Sequence, residues 1–434
     1  MYTPSKVPAQ TASSSWRRRA VAFALTILIS WGICTPSAMA ATPYDTAGQK
    51  AADWLVANMV PGDKTWGSEQ DLKYLSAAEV ALALASWNKR GFEYYAALTW
   101  LANHNPNNVD FAARRAVVLQ PTGQSISQDL NLLAAAQAAN VAAPGNGGVG
   151  LSRQYQGSPL DTAWLLQAYN KAGVSTNVSA ATASLKNAQL TGSDQGWAVG
   201  QDTSSDPIST AQVLIALIPY RATDATLTTP IANGLAALNA KVTTSSAPLK
   251  KALSALANLR DNSNSTQAAT LLNNLMSTQG SDGSWGGDVQ TTASALRALA
   301  AAAGRDAAAL QTPVTIPDSN LRAAINSALS RNALDTLNKG ELAQLTSLNI
   351  SGQNVSNLTG LESATNLTYL DASNNNITSW TPVDNLSQHP TTVRDGNPGY
   401  PVADHDTPTL PQWGAMLLGG LLLRVIARRE RRLA

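Results

Sequence analysis

The stretch Gln279–Ala302, QGSDGSWGGDVQTTASALRALAAA, decides the fold. A glycine-rich turn carries Trp285, and a helix then opens at Thr291-Thr292-Ala293 and runs on through alanine and leucine. The plan recurs three times upstream. Gly196-Trp197 leads to Ser209-Thr210-Ala211 and VLIAL; Gly148-Val149-Gly150 leads to Asp161-Thr162-Ala163 and WLLQA; Trp66-Gly67 leads to Ser76-Ala77-Ala78 and EVALALA. The interval from Ala163 to Ala211 equals the interval from Val149 to Trp197, so turn and helix repeat in one register. The intervals from Ala78 to Ala163 and from Ala211 to Ala293 are each somewhat under twice as long, and each fits two units. A unit with one apolar face cannot bury it alone, so such units stack.

The surrounding chain agrees. Segments such as Gln49–Met59, Ala77–Ser86, Thr162–Ala172, Leu249–Leu259 and Thr292–Ala302 place apolar residues at helical spacing, between clusters of Gly, Asn, Ser, Asp and Pro. No helix is assigned between Ala102 and Leu130. The expectation is a mainly α chain: about six helix pairs over residues 43–310, closed into a ring. The small face Ala293, Ala295, Ala298 and Ala300 would let inner helices approach closely.

The Gly-x-x-Gly-x-Trp turn followed by a Thr-Ala helix resembles the repeat of squalene–hopene cyclases, prenyltransferase β-subunits and complement thioester domains. That resemblance implies an α/α toroid. The relatives' catalytic sets do not carry over. The cyclases use an Asp-x-Asp-Asp-Thr-Ala motif whose central acid donates the proton; the three aligned places here hold Leu160, Ile208 and Gln290. Prenyltransferases need a zinc site containing cysteine and histidine, and thioester domains need Cys-Gly-Glu-Gln. The one cysteine is Cys34, and the histidines are His104, His389 and His405.

Both termini read as targeting signals. Trp16-Arg17-Arg18-Arg19 precedes the apolar run from Ala20 to Cys34, and Ala38-Met39-Ala40 offers small residues before a cut at Ala41. Residues 1–40 are expected to be a secretory signal peptide, with a retained anchor as the alternative. Loss of its four basic residues leaves 26 basic against 28 acidic residues, a formal charge of −2. No basic stripe then argues for nucleic acid, and with Cys34 gone no disulfide or thiolate site is expected.

Beyond Gln311 the texture changes. Leu345, Leu348, Ile350 and Val355 return at one constant offset as Leu367, Leu370, Ala372 and Ile377. This leucine-rich repeat pattern, with strands expected at Ser347–Ile350 and Tyr369–Ala372, resembles the short repeats of bacterial internalins. The reading is a small α/β block over residues 314–380 with a helical cap, leaning on the toroid, then a proline-bearing linker over 381–406. Residues 407–434 hold Pro408-Thr409-Leu410-Pro411, Trp413-Gly414, an apolar run and a cluster including Arg428 and Arg429. They resemble the IPTL-type sorting signal of Gram-negative bacteria. The resemblance implies a transmembrane helix and an exosortase-like protease; an amphipathic tail is the alternative.

No catalytic, cofactor or metal residues are assigned. Asp161 and Asp288, just before or at helix starts, are expected as caps. Trp66, Trp197 and Trp285, with Thr162, Thr210 and Thr292, are expected to be structural. Asp371 and Asn374–Asn376 suit a backbone ladder better than calcium, and the insertion Ser152–Gln156 suits a solvated loop better than a toroid mouth. The expected function is an exported, non-catalytic protein of a Gram-negative envelope or exterior, binding an unidentified protein or glycan. Signal peptidase, the sorting protease and, before sorting, the inner membrane are its processing partners. The alternatives are a toroid enzyme acting on a glycan or lipid through paired carboxylates among Glu79, Asp161, Asp206 and Asp288, and a structural exopolysaccharide-matrix component.

Overall fold

The computed structural model describes residues 42–140, 147–152, 157–200, 202–261, 265–329 and 331–400. The signal positions Ala38, Ala40 and Ala41 and the whole C-terminal tail, Pro408 to Arg429 included, lie outside the described residues, as does most of the insertion at 152–156. No helix among the described residues is long and apolar enough to cross a membrane.

Twelve helices form the larger part: α1 (Tyr44–Ala57), α2 (Gln70–Ser86), α3 (Phe92–Asn103), α4 (Val109–Leu119), α5 (Ser127–Asn140), α6 (Pro159–Ala172), α7 (Val178–Asn187), α8 (Pro207–Leu217), α9 (Thr228–Val242), α10 (Pro248–Asp261), α11 (Ser265–Met276) and α12 (Val289–Ala302). The even-numbered helices pack in sequence, α2 on α4, α4 on α6, and on through α8 and α10 to α12, which returns to α2. They make a closed inner ring. Each odd-numbered helix packs on the outside of inner ones, and α1 lies against α12 and α2, at the seam. Alanines at the inner contacts, among them Ala77, Ala112, Ala163, Ala211, Ala252 and Ala293, are fully buried. Small side chains permit this close packing of many neighbours.

The recurrent turn works by hydrogen bonds. An outer helix ends with carbonyls that have no partner inside the helix. The indole N–H of Trp66 donates to the Leu55 carbonyl at 2.7 Å, that of Trp197 to Leu185 at 2.7 Å, and that of Trp285 to Leu275 at 2.8 Å. The first buried turn of the next inner helix holds the same segment: the Thr162, Thr210 and Thr292 hydroxyls accept the backbone N–H of Val149, Trp197 and Trp285 at 3.0, 3.0 and 3.2 Å. Gly234 lets α9 approach the Trp197 ring, because a Cβ there would lie 2.5 Å from it.

Three glutamines complete the unit. Gln137 donates to the carbonyls of Gly147 and Asn177, Gln189 to those of Gln195 and Pro230, and Gln279 to those of Gly283 and Ala47. Each amide thus joins its own turn to the start of a neighbouring outer helix. For Gln279 that neighbour is α1, so this bond closes the ring. Arg305, which pairs with Asp45 at 2.6 Å and lies over the Trp87 ring at 4.2 Å, reinforces the seam.

α4 lies between the segments that helical spacing singles out. Its segment, VDFAARRAVVL, contains Asp110, Arg114 and Arg115, which break the apolar pattern because they face the polar interior and the buried partner Asp129.

The second part starts with β1 (Pro313–Val314), which pairs antiparallel with β2 (Leu337–Asn338) around α13 (Ser319–Ala328). The short α14 (Lys339–Leu342) opens with a capping box between Asn338 and Glu341. Then β3 (Ser347–Asn349), β4 (Tyr369–Asp371) and β5 (Thr391–Val393) form a parallel sheet in which Ser347, Tyr369 and Thr391 share one register, so both steps along the chain are equal. Leu348, Leu370, Ile350 and Ala372 sit in its core with Leu358, Leu361 and Trp380. The block docks on the ring at the α2–α3 turn. Asn88, in the left-handed region at φ 61°, donates to the Arg305 carbonyl at 2.8 Å and accepts from Gln311 at 3.0 Å. Arg331 donates to the Tyr95 hydroxyl at 2.6 Å.

The expected linker at 381–406 is corrected: the described part of it, to Tyr400, is ordered structure. It contains α15 (Thr381–Asp384) and β5, and buried Asn397 takes the Ile377 N–H at 2.9 Å and donates to the Ala372 carbonyl at 2.8 Å. Asn375, one repeat earlier, does the same for Val355 and Ile350. Pro382 sits at the start of α15, Pro390 directly before β5 and Pro398 in a turn.

Gln279→Ala leaves two carbonyls at the seam without their donor. It is expected to lower unfolding free energy by about 1–3 kcal/mol. Urea denaturation should show a lower midpoint with an unchanged slope, and hydrogen exchange should quicken first in α1.

Candidate functional site: interior and mouths of the helical ring

Of the acids that the sequence singles out, Asp161, Asp206 and Asp288 stand at the amino ends of inner helices and Glu79 lies in the middle of α2. Asp206 and Asp288 are N-caps: their carboxylates accept the N–H of Ser209 at 2.8 Å and of Thr291 at 2.7 Å. Glu79 is not a free acid. One oxygen takes Arg114 at 2.6 Å and the other takes Arg297 at 2.9 Å. Arg114 also grips both oxygens of Asp110, at 3.0 and 2.8 Å, and lies 4.1 Å over the Trp164 ring. Burial acts against the charge of Arg114, yet Asp110 and Glu79 push its pKa up. This plug joins α2, α4, α6 and α12 across the ring interior.

Asp161 departs from its expected role. Ser158 is the cap of α6 and accepts the Asp161 N–H at 3.3 Å. Asp161 is the third residue of the helix, and its buried carboxyl faces the field of Asp110. Burial first, and Asp110 second, raise its pKa to about 6; the Ser158 hydrogen bond and Arg114 act the other way. A carboxyl that changes charge near pH 6 can serve as a proton donor or acceptor. The cyclase-like acid positions offer nothing beside it: Leu160 and Ile208 are apolar and pack against the core, and Gln290 is an amide.

The tryptophans are structural in placement: Trp66, Trp197 and Trp285 are fully buried with their indole nitrogens committed. His104 bonds the Trp100 carbonyl at 2.7 Å and stacks on the Trp100 ring. Asp371 accepts from the backbone and hydroxyl of Ser373, at 3.1 and 2.7 Å. The ladder amides are Asn375 and Asn397; Asn376, to which the repeat offset points, is not one of them. Among the described residues, no group of three or more His, Cys, Asp or Glu side chains could hold a metal ion.

The carboxyl ends of the inner helices surround a cavity of about 330 Å³. Leu82 and Ala85 of α2, Val117 of α4, Lys171 of α6, Arg260 of α10, Asp306 and Asn338 of the second part are among the residues that line it. Sequence reasoning passes over Lys171 and Arg260, since last-turn cations are ordinary on any helix.

Neither a family model nor a curated protein matches the chain. Among solved structures, a protein from Actinoplanes is 17% identical, with a TM-score of 0.47, over 60% of this chain and 99% of that one. A type II terpene cyclase from Scytonema, bound to its substrate geranylgeranyl dihydroxybenzoate, is 14% identical with a TM-score of 0.48, over 60% and 98%. The same cyclase without ligand gives a TM-score of 0.34. The closed helical ring stands on its own packing.

The raised pKa of Asp161 fixes a sign. Below an unfolded pKa near 3.9 the group is protonated in both states and costs nothing; as pH rises to about 6 the unfolded chain gives up the proton more readily, and stability falls. Asp161→Asn removes that loss. It is expected to raise the melting temperature by a few degrees at pH 8 and to leave it nearly unchanged at pH 4. Paired thermal melts at the two pH values check this; an equal shift at both would contradict it.

Proposed function

We propose that the chain is an exported, non-catalytic binding protein of a Gram-negative envelope. A cyclase-like α/α toroid forms its body, a short leucine-rich repeat block follows, and the C-terminal signal directs sorting by an exosortase-like protease. The observation that carries the non-catalytic reading is the commitment of the ring's acids: Glu79 is held by two arginines, and Asp206 and Asp288 are spent as caps. The export reading is supported by the sequence at both termini. The repeat-block reading is supported by the equal strand register and by the ladder of Asn375 and Asn397. A protein or glycan is the partner proposed, and no cofactor is invoked.

One observation favours a second reading, a toroid enzyme acting on a lipid or glycan: Asp161, titrating near pH 6 close to Asp110. Turnover of a polyprenyl, triterpene or oligosaccharide substrate by the purified chain, abolished in Asp161→Asn, would establish that reading and end the non-catalytic one.

Mass spectrometry of the protein isolated from its own envelope tests the processing. The expected mature chain begins at Ala41 and is cut near Thr407–Gly414. A molecule that keeps both Met1 and Ala434 would overturn export by this route.

A further inference from the structure

We infer that the mouth of the ring at the carboxyl ends of its inner helices binds a small amphiphilic anion, with a carboxylate or phosphate head on Lys171 and Arg260 and an apolar body along α2 and α4. The cavity has the required mixed lining. Its space of about 330 Å³ is bordered by the aliphatic side chains of Leu82, Ala85 and Val117 and by the charged Arg90, Lys171, Arg260 and Asp306. Pockets of this size and mixed lining are where small molecules bind.

The cations are what the fold leaves unexplained. Arg114, Arg115 and Arg297 each meet a buried carboxylate of the protein. Lys171 has no hydrogen bond or ion pair among the described residues, although it lines the cavity. Its charged surroundings are Arg260 and Arg297, which repel it, and Asp306, which attracts it. The surrounding protein first, and the two arginines second, lower its pKa, although the residue keeps wide access to solvent. Arg260 leans toward Asp306 at 3.5 Å, with 47% of its side chain still accessible. Two cations therefore share one carboxylate on the wall of a cavity.

The ordinary explanation is compensation of the helix dipole, because both residues end inner helices. A cation in that role can also hydrogen-bond the last carbonyls. Neither does so among the described residues, and both line the space instead. An anionic head would replace the missing acceptor, and the hydrocarbon wall would take the rest of the molecule from water.

This inference deepens the binding reading and rests on it only for its biological setting. Titration can fail while export stands, and unprocessed termini would leave the titration untouched.

The test is calorimetric titration of the full chain with octanoate and with 1-octanol at low ionic strength. Octanoate is expected to bind with a Kd below about 1 mM, and octanol at least about tenfold more weakly. Lys171→Gln, an exposed position, should fold normally by circular dichroism and bind octanoate about tenfold more weakly. Asp306→Asn removes the competing carboxylate and should tighten octanoate binding about threefold or more, a gain that misfolding cannot produce. Failure of octanoate to bind, octanol binding equally tightly, or unchanged affinity in both variants would each overturn the inference.

Discussion

The structure depends on satisfying the last carbonyls of the outer helices where they turn inward. A buried carbonyl without a donor is costly, and water cannot reach these positions. Indole nitrogens supply the donor at Leu55, Leu185 and Leu275. Because the indole belongs to the turn, the same residue that ends one helix fixes the path to the next, where a threonine hydroxyl takes up the turn's own N–H. One motif thus sets helix end, turn and helix start together. A linear stack built this way would need polar caps at each end. The ring has none to cap, because the last turn finds its partner in the first helix through Gln279 and Ala47.

Closure creates an interior that is neither solvent nor hydrocarbon core. The alanine contacts between inner helices leave a centre that long side chains must fill, and six helix ends point charge at each mouth. Glu79, Arg114, Asp110 and Arg297 fill it as an alternating chain of charges. Replacing such a network with apolar residues of the same volume is often neutral for stability, while removal of one member strands the others. Its clearer effect is on arrangement: the Glu79–Arg297 pair crosses the seam, and a shifted closure would leave the buried Arg297 unanswered.

The sequence shows this fold where its local rules are repeated. The Trp–Thr unit and the leucine spacing are periodic, so their meaning accumulates over copies. Gln279 is in plain view at the head of the deciding stretch, but an amide that bonds two distant carbonyls has no local signature. α4 is hidden because its charged residues serve the interior rather than the solvent, which inverts the usual pattern. Asp161 is misplaced by one turn of capping register, since Ser158 and Asp161 are both good cap residues and only backbone geometry chooses between them. Residues 381–400 look like a linker because proline and asparagine are turn formers, whereas Asn397 is a buried rung.

Helix dipoles account for most of the charge pattern along the ring. Acids stand at the amino ends of most inner helices, and Lys171 and Arg260 at the carboxyl ends of two, each the favoured sign. α6 carries both cases: Asp161 and Lys171 stand at its opposite ends, about 15 Å apart along the axis, with the charged plug between the two mouths. The dipole explains which sign each residue has. It does not explain why Asp161 shares its surroundings with another acid while Lys171, at the other end, shares its own with two arginines. Like charges brought together cost stability at both mouths, more at the buried Asp161 than at the solvent-accessible Lys171 and Arg260. At the amino mouth a proton relieves that cost as the pH falls toward 6, with no ligand required. At the carboxyl mouth no such relief exists near neutral pH, because an arginine keeps its proton. There Asp306 attracts Lys171 and pairs with Arg260, and a negative charge from outside the chain would add to that compensation, which makes the carboxyl mouth, rather than the acid cluster that resembles an active site, the more informative place to look for a ligand.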